Sequence, residues 1–211
     1  GLSRYYISNN QFTSAMQLYR NRLKDAEILN NSKDIVFCLQ GMSNIYAGIH
    51  QYKKSIEYSL KALNLIKKTA KDSTEKFWGF CNVGRNYFIG YNHDSALFYF
   101  ENAYIGLKSK IVAREKIYFV FNIARALNEL KNSIKSKTYY TEGLEIAKQL
   151  KDTFLQGVLY SEIGQTYFYE KNYKKALEYK PPEYKPLEYK PMFLSNFCST
   201  PFRQPIGGVM E

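Results

Sequence analysis

The 211-residue chain is 45% hydrophobic and 23% charged, an ordinary globular composition that excludes a disordered or fibrous chain. It carries 20 Tyr and 14 Phe against a single Trp, and a net charge of +11, which favours acidic partners and says nothing of fold. Cys38, Cys81 and Cys198 are too few and too far apart for a disulfide framework or a zinc cluster, so free thiols in a reducing compartment are expected.

In chain order, GLSRYYISNN lacks the features of a secretory signal, and no apolar run reaches the length of a membrane span. A cytoplasmic location is therefore the expectation, although the sequence opens on Gly1 and is compatible with a longer parent chain. The first clear rhythm appears in GMSNIYAGIHQYKKSIEYSLKAL (41–63) and returns in NVGRNYFIGYNHDSALFYFENAY (82–104), NIARALNELKNSIKSKTYYTEGL (122–144) and EIGQTYFYEKNYKKAL (162–177). A large landmark residue falls at Tyr46, Tyr87, Leu127 and Tyr167, spaced by 41, 40 and 40 residues, with Tyr6 a further 40 upstream of the first. Small residues recur three before it (Ser3, Ser43, Gly84, Ala124, Gly164) and nine after it (Ala15, Ser55, Ala96, Ser136, Ala176). Apolar residues flank them at helical spacing, and each unit has a short polar turn in its middle. Each unit reads as a helical hairpin whose apolar face is buried only by its neighbours, which is the logic of a solenoid.

These residues resemble the tetratricopeptide repeat (TPR). Its pattern is carried by Ile163-Gly164, Tyr167 and Ala176, and by Val83-Gly84, Tyr87, Ala96, Phe100 and Ala103. The resemblance implies an all-α, right-handed solenoid of antiparallel helix pairs over residues 1–180, with about five units of which the first and last are incomplete. The period of 40 exceeds the family's roughly 34, and the closing proline of a unit is missing. Elongated units of this kind look like those of bacterial regulatory and sensor proteins.

The rhythm ends at EYKPPEYKPLEYKPM (178–192), where Pro181, Pro182, Pro186 and Pro191 forbid a continuing helix. Residues 181–192 read as a linker, extended against the solenoid's edge or solvated. Residues 193–211 read as a truncated, irregular tail. There Phe193-Leu194-Ser195-Asn196-Phe197 and Pro201-Phe202 resemble the opening of the NADAR family, which acts on ADP-ribose derivatives. That resemblance implies an alternative, an enzyme-linked chain whose solenoid serves an ADP-ribose-processing segment.

No phosphate loop, nucleophile elbow or metal motif is present, so no catalytic residue, cofactor or metal is assigned and a non-enzymatic chain is expected. His50 and His93 fall in turns and read as exposed. The lysines are spread over every unit and the aromatics sit at packing positions, which argues against nucleic acid as a partner. The unfinished last unit leaves self-association open.

In the TPR family the first helix of each hairpin lines a concave, ligand-binding surface. Two residues before the landmark stand Arg4, Asn44, Arg85, Arg125 and Gln165, a polar position in every unit and hence a ladder along the groove. Three arginines favour carboxylates, because the guanidinium fork accepts them bidentately. Gln40, Asn82 and Asn122 precede the landmarks by five or six residues, and Phe88, Asn128 and Phe168 follow them by one, completing the candidate groove. The expected ligand is a protein or peptide segment of acidic character. The competing reading of the ladder is a solvated surface of pairs between arginines and carboxylates.

Overall fold

The computed structural model describes residues 11–107, 109 and 111–179. Among these, nine helices follow one another: α1 (Phe12–Ile28), α2 (Ser32–Gly48), α3 (Tyr52–Thr69), α4 (Ser73–Ile89), α5 (His93–Leu107), α6 (Ala113–Glu129), α7 (Ser133–Gln149), α8 (Thr153–Tyr169) and α9 (Tyr173–Glu178). Helices adjacent in sequence pack against each other throughout, and α2 also touches α4. The hairpins are α2/α3, α4/α5, α6/α7 and α8/α9, and α1 stands as the second helix of a preceding unit.

The turn inside each hairpin is closed by the landmark residue's own backbone. The amides of Gln51, Asn92, Asn132 and Asn172 donate to the carbonyls of Tyr46, Tyr87, Leu127 and Tyr167 at 2.8–2.9 Å. This is the bond of a Schellman motif, and it requires a left-handed residue just before the donor. His50, Tyr91, Lys131 and Lys171 fill that place at φ of 60–61° without a glycine among them. The donor residue then caps the next helix: Asn92, Asn132 and Asn172 accept from the amides of Ser95, Lys135 and Lys175. A β-carbon in the left-handed region costs about 1–2 kcal/mol. Lys131→Gly, at an exposed turn, is therefore expected to stabilise the chain by about 0.5–1 kcal/mol after the added flexibility of the unfolded chain is counted. A rise of about 1–4 °C in Tm would register it.

Most of the aromatic residues are consumed in packing. Tyr58, Tyr99 and Tyr179 pack against the landmarks Tyr46, Tyr87 and Tyr167 at 5.2–5.4 Å between ring centroids. Each pair ties the two helices of one hairpin together. Between hairpins, Phe119 of α6 is fully buried and lies against Trp78 of α4, Tyr104 of α5 and Tyr118. Small residues make the close approaches possible. The ring of Phe77 rests on Gly106, where a β-carbon would stand 2.1 Å from it, and Phe100 crosses Gly84 with room for a β-carbon only at 3.0 Å.

One interface is polar. Ser43, Ser55 and Asn86 are all buried. The Ser43 hydroxyl donates to the Ser55 carbonyl (2.8 Å), the Ser55 hydroxyl to the Asn86 amide oxygen (3.0 Å), and the Asn86 amide nitrogen to Ser43 (2.9 Å). The triad joins α2, α3 and α4, and so couples one unit to the next. Cys38 is a buried free thiol that burial pushes up to about 11, and Cys81 is buried with its Sγ 3.7 Å from the Tyr118 hydroxyl.

Candidate functional site

The first helices α2, α4, α6 and α8 carry the ladder. Asn44 and Arg85 meet directly: Arg85 Nη2 donates to Asn44 Oδ1 across the interface between α2 and α4. Arg125, one unit further, lies over the Phe88 ring of α4 at 4.7 Å and over Phe121 of its own helix at 5.8 Å. Such cation–π contacts restrain the guanidinium without using its N–H groups as hydrogen-bond donors to the rings. Gln165 of α8 is exposed and donates to the Tyr169 hydroxyl at 3.0 Å. Arg4 lies outside the described residues.

The flanking candidates divide by burial. Gln40, Asn82, Phe88 and Asn128 are half-buried, and Phe168 is exposed against Tyr169 and Tyr173. Asn122 is buried, and its amide donates to the Tyr118 carbonyl one turn back at 2.7 Å, so it serves its own helix. His93 departs from the expected exposed turn residue. It opens α5, its ring sits edge-on to Phe88 at 5.1 Å, its Nδ1 is buried with no partner, and its Nε2 is 4.0 Å from Glu129. A residue at the first position of a helix points back over the preceding turn, which here is Phe88 and its neighbours. His50 is exposed, with Nδ1 2.7 Å from the Tyr52 hydroxyl.

Sequence reasoning passed over the groove's acidic neighbours. Tyr140, fully buried in α7, donates to Glu162 of α8 at 2.9 Å. Its phenol is pushed up by burial first and then by the Glu162 carboxylate, while Arg125 opposes the shift. The ladder thus runs from Asn44 and Arg85 towards a mixed end where Arg125 shares its surroundings with carboxylates. Glu162 stands five residues before its landmark, at the place of Asn82 and Asn122 in the two preceding units, and counting aligns the three without showing that Tyr140 is its partner.

On the other helix layer, Tyr104 donates to Glu142 (2.9 Å), and Lys116 reaches the same carboxylate (3.2 Å), beside a cleft of about 410 Å³ lined by Glu101, Lys135, Thr138 and Tyr139. At the hairpin turns, Lys137 bonds Glu170 at 2.6 Å, and this pairing, with Ser133, holds the Glu170 carboxyl below its ordinary range. Among the described residues no group of His, Cys, Asp and Glu could hold a metal, and no helix is long and apolar enough to cross a membrane.

A family model described as tetratricopeptide repeat matches residues 118–150, which span most of α6 and all of α7. The chain folds as a TPR-like right-handed α-solenoid, and solved structures of similar shape share that architecture. A putative kinesin light chain from Podosopora anserina with nearly identical TPR-like repeats superposes with a TM-score of 0.74 at 16% identity, covering 84% of this chain and 88% of that one. The apo form of RapI gives 0.70 at 19% identity, covering 84% of this chain and 49% of RapI. A signal transduction ATPase with numerous domains and a tetratricopeptide repeat sensor, from Pyrococcus horikoshii, gives 0.73 at 19%, covering 84% of this chain and 27% of that protein. A Rap protein solved in complex with competence and sporulation factor gives 0.66 at 18%, covering 84% of this chain and 49% of it. No curated protein matches the sequence. The resemblance of residues 193–211 to the NADAR family finds no support in these matches, and those residues lie outside the described part of the chain.

Proposed function

We propose that the chain is a non-catalytic repeat scaffold that binds a protein or peptide segment in the groove lined by α2, α4, α6 and α8. Its setting is the adaptor or sensing part of a bacterial regulatory protein. The observation that carries this reading is the repeat-equivalent ladder of Asn44, Arg85, Arg125 and Gln165, with Arg125 braced on Phe88. An arginine braced on an aromatic ring loses less freedom on pairing with a carboxylate, so the favoured ligand is an acidic segment. The sensor in the Pyrococcus horikoshii ATPase and the Rap complex with competence and sporulation factor are consistent with such a role. In this reading the repeat domain occupies residues 1–180, residues 181–192 follow as a linker and residues 193–211 as a tail. The protein works in the cytoplasm.

Fluorescence anisotropy with equal-length acidic, neutral and basic peptides tests the proposal. Acidic peptides are expected to bind best, and Arg85→Glu/Arg125→Glu is expected to weaken them at least about tenfold, since a hydrogen bond to a charged group contributes roughly 1.5–3 kcal/mol. Helicity should not change. Equal affinity for the double variant, or a preference for basic peptides through Glu162 and Glu129, would sink the acidic-ligand reading.

A further inference from the structure

Among the described residues the last hairpin of the solenoid has a short second helix. Helix α9 has six residues where α3, α5 and α7 have 15–18. A cleft of about 460 Å³ opens there, lined by Gly164, Phe168, Tyr173, Leu177 and Tyr179 among others. Phe168, Tyr173 and Leu177 are 56%, 55% and 64% exposed. A solenoid end needs a cover that is apolar inside and polar outside.

The forty-residue count identifies that cover. In the second helices, three positions recur: Tyr58, Leu63 and Ile66; Tyr99, Tyr104 and Leu107; Tyr139, Leu144 and Ala147. The second and third members of every set are buried. One period later the count falls on Tyr179, Tyr184 and Leu187. Tyr179 holds its expected place, its ring tilted against Tyr167 at 5.4 Å and beside Tyr160 at 6.2 Å. Between these residues stand Lys180, Glu183 and Lys185, a polar set suited to the outer side. The sequence keeps the buried pattern of a second helix while its prolines forbid the helix itself.

We propose that residues 180–187, which lie outside the described residues and include the first part of the linker, are the solenoid's C-terminal cap, with Tyr184 and Leu187 covering the cleft at Phe168, Tyr173 and Leu177. The chain leaves Tyr179 from within the cleft lining, and five residues reach roughly 17 Å at most, so Tyr184 is delivered to the cleft at high effective concentration. Tyr189 serves as an internal contrast. It has the same local sequence as Tyr184 but falls on the count of Lys68, Ser109 and Gln149, all of them exposed.

Amide hydrogen exchange on the full chain tests the cap. Tyr184→Ser/Leu187→Ser is expected to speed exchange in α9 and the last turns of α8 by about tenfold, with α2 to α6 unchanged. Tyr189→Ser is expected to leave all of it unchanged. Unaltered exchange in the double variant overturns the proposal, as does an equal effect of Tyr189→Ser, which would mean that any tyrosine of the tract serves. Light scattering over a concentration series covers the other occupant: a mass of two chains, with protection of α9 that rises with concentration, would assign the cleft to a second copy instead.

Discussion

Phe119→Ala is expected to lower the stability of the chain by about 3–5 kcal/mol, the range for removing a fully buried aromatic ring. The ring is completely enclosed and touches Trp78, Tyr104 and Tyr118, so it is shared by α4, α5 and α6. Neither hairpin can close the resulting hole alone, because its walls come from both. In a solenoid, stability is a sum of units and of interfaces between neighbours, and the loss falls on one interface. The Tm should drop by roughly 10 °C. Thermal unfolding followed by helicity should also broaden, as the hairpins before and after that interface lose their coupling. Phe119→Leu, which keeps most of the volume, should recover more than half of the loss. A sharp transition at an unchanged temperature in the alanine variant would mean that the hairpins are not held together through this ring.

The architecture was legible because packing in a repeat protein is itself periodic. Tyr46, Tyr87, Leu127 and Tyr167 could be aligned by counting, and the small residues at Gly84 and Ser55 could be assigned to close helix contacts without any structure. What counting could not see was the backbone. Each landmark's carbonyl closes its turn, and the left-handed positions are filled by His50, Tyr91, Lys131 and Lys171, residue types that give no turn signal of their own. The aromatic excess, ambiguous in composition, resolves into pairs such as Tyr87 with Tyr99 inside the hairpins.

The groove was less legible, for a physical reason. A polar residue at a repeat-equivalent position is consistent with recognition, with solvation and with bonding to a neighbouring helix, and the sequence is the same in all three cases. Asn122 belongs to the last class, spending its amide on Tyr118. Arg125 acquires its setting from Phe88, a residue 37 positions earlier, and Tyr140 acquires its partner Glu162 from the following unit. These are contacts between units, and each unit's own pattern says nothing of its neighbour's side chains.

The second large effect concerns the buried polar triad, where the same chemistry has opposite consequences at two equivalent sites. Asn86→Ala removes the acceptor of the Ser55 hydroxyl and a donor to Ser43, all inside a buried interface. Leaving such groups without partners costs about 1–3 kcal/mol, and the cavity adds to it, so a loss of about 2–3 kcal/mol is expected. Ser136 occupies the position of Ser55 two units later, is fully buried, and its hydroxyl has no partner. Asn86 itself is replaced there by Thr166, whose hydroxyl bonds back to the Glu162 carbonyl at 2.8 Å. Ser136→Ala is therefore expected to stabilise the chain by up to about 1 kcal/mol, because it removes an unmatched polar group and leaves almost no hole. Urea unfolding of the two variants against the parent chain gives the comparison. If Ser136→Ala destabilised the chain as much as Asn86→Ala, the hydroxyl of Ser136 would have a partner after all, and the triad would be a general device of these repeats. With opposite signs, Asn86 is the residue that turns one of several equivalent small-residue contacts into a specific lock between α2, α3 and α4, since only correct alignment of the three helices satisfies its amide.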